Sequence, residues 1–193
     1  FGAVQDNLIF HSLWKNREIF NEEKGESMKY DLRKLFDEKV SIITNQLESF
    51  PFENRTAVIN LLSQQYLIIQ NSTRYLAICA GLIDVEENEE FNKWSSHLRE
   101  ELNHDVLLKN DLIKLGESKN HHPIAETRAL IASNYYYIFK QSPFSQFGLI
   151  LMLEGLSLKV CARLFDKIKE HHGVESKYLE VHGKADETHY PQG

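Results

Sequence analysis

The chain has little of what many protein sites are built from. Two cysteines, Cys79 and Cys161, are too few for a zinc-thiolate centre or a disulfide framework. Both lie in apolar runs of helical spacing, which favours buried, reduced thiols and fits a reducing cytoplasm. The four prolines, at 51, 123, 143 and 191, all fall between helically patterned segments and act as punctuation. No alternating apolar and polar stretch of useful length occurs, so no sheet is expected to carry the fold. The longest apolar run, Phe147 to Leu153, is followed by Glu154 and falls well short of the roughly 20 residues a membrane helix needs. A net charge of −6 with no basic cluster argues against a nucleic-acid partner. No signal peptide is visible, although the chain begins at Phe1 rather than Met.

What is present is helical pattern. With 193 residues, 42% of them apolar and 26% charged, the chain can bury a large core in one domain. A first helix is expected from about Asp6 to Phe20, then a charged, glycine-containing loop from Asn21 to Ser27. Leu32, Leu35, Phe36, Val40, Ile43 and Leu47 carry a second helix to Ser49. A third runs from Thr56 to about Ala80 and is expected to stop at Gly81. An acidic turn, Glu86 to Glu90, leads into a fourth from Phe91 to about Leu115, closed by Gly116. A fifth spans Ile124 to Lys140. A sixth, capped by Ser142 or Ser145, reaches His172 before Gly173, and Ser176 caps the last segment. The expected fold is therefore an all-α single-domain bundle of about seven helices.

Three segments carry candidate metal ligands. In the last, a helical step places Asp186 about 40° and His189 about 20° from His182, so the three donors share one narrow face. Imidazole and carboxylate are donors that iron, manganese and zinc accept. The ordinary alternative is a polar face turned to water. In the fourth helix Glu101 and His104 form an E-x-x-H pair, with His97 one turn earlier on the same stripe. Such a pair is often only a surface contact. In the sixth, Glu154 sits inside the apolar run Leu149 to Leu156. A carboxylate buried there must be neutral, paired with a cation such as Arg99, Arg128 or Arg163, or bound to a metal. Three imidazoles and three carboxylates together approach what two ferrous ions require.

The order of these motifs resembles the haem-oxygenase-like di-iron oxidases. A helix carrying Gln64-Gln65-Tyr66 is followed by E-x-x-H-D-x-L at Glu101 to Leu107, then Glu154-Gly155, then H-x-x-x-D-x-x-H at His182 to His189. The resemblance covers about Glu53 to His189. It implies a haem-oxygenase-like helical bundle and an enzyme that uses two Fe(II) ions per chain, O2 and an external reductant to oxidise a small fatty acid, amino acid or amine. It also implies that His104, Glu154 and His182 hold one iron, and Asp186 and His189 the other, with Glu154 close to both. Glu101 would be the remaining carboxylate, with Glu100 and His97 as competitors. Where several members of that superfamily have a glutamate on the long early helix, this chain has Gln64 or Gln65, which puts a weaker second site in view. The family's last core helix continues beyond the final motif, so the chain ending at Gly193 is expected to be truncated there. Assembly as a homodimer is expected.

Other readings use the same residues. A self-sacrificing p-aminobenzoate synthase would consume one of the tyrosines. A metal-free, thiaminase II-like hydrolase would use Cys161, seven residues after Glu154. A haem oxygenase would need His11 as its proximal ligand. Tyr66, Tyr75, Tyr135, Tyr136, Tyr137 and Phe139 could line a fatty-acyl tunnel, or simply pack a core. His121-His122 and His171-His172 read as solvated residues at helix ends.

Overall fold

The computed structural model describes residues 19–21, 26–28, 32–117 and 121–189, with the side chains of 34–117 and 121–183. Among these residues seven α-helices form a bundle: α1 (Leu32–Glu48), α2 (Arg55–Leu82), α3 (Asn88–Glu101), α4 (His104–Lys114), α5 (Ala125–Lys140), α6 (Gln146–His172) and α7 (Lys177–His189). A 3-10 turn, Pro143–Ser145, precedes α6. An antiparallel pair, β1 (Ile19–Asn21) and β2 (Glu26–Met28), precedes α1, with Phe20 opposite Ser27. This corrects the reading of Phe20 as helix and of Asn21 to Ser27 as loop, because three-residue strands are too short to show alternation. The rest of the expected first helix, including His11, lies outside the described residues.

Local chemistry sets most helix ends. Asn54 caps α2 by accepting the Ala57 amide at 3.2 Å. Gly116 and Gly173 adopt φ of 85° and 66°, the left-handed conformation that closes α4 and α6. Gly81, by contrast, does not end its helix. The backbone continues to Leu82, and the Ile83 amide bonds to Ala80 O at 3.3 Å as the chain leaves.

The largest departure from the sequence reading is that the expected fourth helix is two. α3 ends at Glu101, Leu102 is extended, Asn103 is left-handed at φ 71°, and α4 restarts at His104. The Asn103 carbonyl accepts the amides of Val106 and Leu107 at 3.0 and 3.2 Å. Asparagine is one of the few residues that enter this region readily, so helical periodicity gave no warning of the break. Asn103→Gly should retain full stability, and Asn103→Val should lose about 1–2 kcal/mol in a denaturant titration. Equal stability of the two variants would show that the left-handed residue does not govern the break.

Two apolar clusters meet along α2. Val58, Leu62 and Ile69 pack with Leu108, Leu112, Val160, Ile168 and Leu179 from α4, α6 and α7. Further along, Tyr75, Leu76 and Cys79 pack with Trp94 and Ile138 from α3 and α5. Fully burying such side chains contributes roughly 1.5–3 kcal/mol each, which fixes where the helix faces point. Burial pushes the Cys79 thiol up to about 12, and its Sγ donates to Pro143 O at 3.4 Å.

α7 lies along α6 and against α4, and a buried polar knot fixes its start. Ser176 caps it as expected, accepting the Leu179 amide at 3.2 Å. The Ser176 hydroxyl and the Tyr178 amide both donate to Asp111 Oδ2, at 2.8 and 2.9 Å. Lys114 Nζ holds Asp111 Oδ1 at 2.8 Å. Asp111 and Ser176 are both completely buried. Among the described residues no helix is long and apolar enough to cross a membrane.

Candidate metal centre

The break between α3 and α4 brings a carboxylate and an imidazole together on the inner side of the bundle. Glu101 is the last residue of α3 and His104 the first of α4, and Glu101 Oε2 lies 3.2 Å from His104 Nδ1. From α7, the buried His182 ring meets the His104 ring edge-on, with centroids 4.6 Å apart. One donor atom from each of Glu101, His104 and His182 lies within 4.8 Å of the other two. Donors around one cation with bonds near 2.1 Å sit about 3 to 4.2 Å apart, so a small adjustment closes the three onto an ion. The donor set suits iron: two imidazoles and one carboxylate form a group able to coordinate one metal ion.

Electrostatics keep the carboxylate ionised. Burial raises the Glu101 carboxyl, but the hydrogen bond with His104 and the charges of His104, His182 and His97 outweigh it. The net position is below the usual carboxylate range. An ionised Glu101 is the form a cation needs.

Of the other expected ligands, only Glu154 has its side chain among those described. Glu154 is only partly buried and does not belong to the three-residue group; its Oε1 lies 3.9 Å from His97 Nε2. The resemblance implied His104, Glu154 and His182 on one ion, whereas the structure groups Glu101 with the two imidazoles. Asp186 and His189 lie on α7, but their side chains are outside those described. Arg163, considered as a partner for Glu154, lies 3.5 Å from Glu48. Arg128 donates to Pro123 O.

Glu101 and His182 open onto a cavity of about 50 Å³ at the seam of the two apolar clusters. That is room for a few waters or a molecule of a few heavy atoms. Glu101, His182, His97 and Glu154 form one side, and Ile68, Ile69, Leu76, Leu149, Ile150 and Leu153 supply apolar wall. Of the aromatics considered for a fatty-acyl tunnel, only Tyr75 reaches it; Tyr136 and Phe139 are exposed. Cys161 is not in its lining. It is buried in the core opposite Gly183, so a thiol nucleophile has no approach from this cavity.

Neighbouring side chains sort out what the sequence left open. Gln64 is not at the site: its Oε1 accepts the Ile124 amide and its Nε2 donates to His122 O, tying down the turn before α5. Gln65 is at the site, donating to the Tyr178 hydroxyl at 3.3 Å, and the Tyr178 ring packs on His182 at 4.3 Å. His121 and His172, read as solvated, are engaged instead. His121 Nε2 lies 3.1 Å from Ser63 Oγ, and His172 Nε2 lies 2.7 Å from Phe52 O. Asp111, Gln146 and Tyr178 were not foreseen. Asp111 had a usable signal, since Leu108, Asp111, Leu112 and Leu115 form one helical stripe in which a carboxylate is out of place.

Comparison with known proteins agrees with this geometry. A family model described as iron-containing redox enzyme matches residues 59–192. The fold is similar to the crystal structure of a domain of unknown function with a haem oxygenase-like fold from Shewanella denitrificans. The TM-score is 0.71 at 18% identity, over 86% of this chain and 77% of that one. No curated protein is similar enough to count as a match.

Proposed function

This chain belongs to the family of iron-containing redox enzymes, and from that premise we propose that it is a non-haem di-iron oxidase or oxygenase that uses O2 to oxidise a small organic substrate. The observation that supports the reading best is the grouping of Glu101, His104 and His182 within 4.8 Å, with Glu101 and His182 on the wall of a mostly apolar cavity.

In this reading Glu101, His104 and His182 hold one iron. Glu154, with Asp186 and His189, holds a second, and His97 supports Glu154 from 3.9 Å. Ferrous iron, when bound, supplies the electrons for O2 reduction, and an external reductant restores them. The chain's own residues position and protect. Tyr178 packs against His182 and fixes the plane of its ring, while Gln65 holds the Tyr178 hydroxyl. Ile68, Leu149 and Leu153 exclude bulk water from the reacting face. Asp111 sets the start of α7 and thereby the depth of His182.

Anaerobic titration with Fe(II), followed by O2, tests the proposal. Uptake should approach two ions per chain, and mixing with O2 should give a transient visible absorption. Uptake well below two with no transient would refute the di-iron assignment. Saturation at one would leave a mononuclear centre at the three grouped ligands.

A further inference from the structure

Two potential ligands on the cavity wall stand outside the three-residue group. His97 comes from α3 and Glu154 from α6, and both line the cavity with Glu101 and His182. His97 Nε2 lies 3.9 Å from Glu154 Oε1. That separation is too long for a hydrogen bond, and a charged pair closed on itself comes to about 2.7–2.9 Å. It falls instead within the span of about 3 to 4.2 Å that separates two donors of one cation with bonds near 2.1 Å. The side chains are 22% and 15% exposed, so the pair is not sealed in the core. His97 also precedes Glu101 by four residues on α3, which puts the two on one helix face about 6 Å apart along the axis. The helix that gives Glu101 to the first group therefore presents His97 one turn back, where Glu154 stands.

Resting on the two-ion reading above, we infer that His97 is a direct ligand of the second ion, binding it through Nε2 together with Glu154, rather than a brace for the Glu154 carboxylate. The second centre then gains a nitrogen donor. Imidazole suits iron and zinc, whereas magnesium and calcium prefer oxygen, so His97 biases that centre towards transition metals.

The test titrates the full, metal-free chain with Zn(II), which takes nitrogen and oxygen donors without redox turnover. Uptake is followed by calorimetry, and the imidazole nitrogens by NMR of protein labelled with nitrogen-15 histidine. The His97 signals are those missing from His97→Gln or His97→Ala, whichever is folded. Wild type should take two ions, and His97 Nε2 should move to the position of a metal-bound imidazole nitrogen as the second enters. His97→Ala should bind the first ion within about threefold of wild type and the second at least ~10-fold more weakly, with added imidazole restoring part of the loss. Two ions bound by wild type with His97 Nε2 still at its metal-free position would overturn the inference, since a brace gives that result. Equal affinity of wild type and His97→Ala for the second ion would overturn it too. Saturation of wild type at one ion would remove the inference together with the di-iron reading, and that outcome is seen before any variant is made.

Discussion

His182→Ala is expected to abolish tight metal binding at the Glu101–His104–His182 group, lowering affinity by at least ~100-fold. Loss of a supporting residue around a metal site typically costs 10- to 100-fold, and this substitution removes a ligand outright. Three donors lie within 4.8 Å, and only His182 comes from α7, so its removal leaves Glu101 and His104 on one side of an open site. The consequence is measurable without turnover. A metal present at 100 times its dissociation constant stabilises the folded state by about 2.7 kcal/mol, so the metal-dependent rise in melting temperature should vanish in the variant. His121→Ala is the matched control, since His121 contacts Ser63 and lies outside the three-residue group. Should His182→Ala keep both its metal content and its metal-dependent melting shift, the three grouped residues are not the centre.

Asp111→Ala should give the largest stability loss among polar substitutions in the described residues, about 3–4 kcal/mol. The carboxylate is fully buried and accepts from the Ser176 hydroxyl, the Tyr178 amide and Lys114. Removing it strands two buried donors at about 1–3 kcal/mol each. The Lys114 contribution is discounted, because that side chain is about half exposed and regains water. For a chain of this size the melting temperature should fall by roughly 8–15 °C. Asp111→Asn can still accept one of the two bonds and should lose about half as much. Because the knot sets the start of α7 and His182 lies on the same helix, Asp111→Asn should also weaken metal binding, by about tenfold. Unchanged metal affinity in a well-folded Asp111→Asn protein would reduce Asp111 to a purely structural cap.

The sequence was legible where one periodicity governed one element. Apolar spacing and caps located five of the helices to within a turn, and Gly116 and Gly173 marked real ends because both adopt positive φ. It was misleading at Gly81, where glycine is merely tolerated inside a helix, and at Asn103, where the break rests on a single left-handed residue. Among the ligands, Glu101, His104 and His182 were all named from spacing. Their grouping was not, because the resemblance paired the imidazoles with Glu154. Gln64 and Gln65 were indistinguishable as neighbours, yet one braces a turn and the other faces the cavity.

By itself the sequence determined that this is a helical protein with candidate imidazole and carboxylate ligands on three segments, since period and composition are local properties that each segment carries alone. Only the tertiary structure decided which three donors meet and that His97 stands beside Glu154. Those outcomes depend on where helices stop and how they cross. A left-handed residue at Asn103 and a buried carboxylate at Asp111 fix where α4 and α7 begin without changing the pattern of the residues around them.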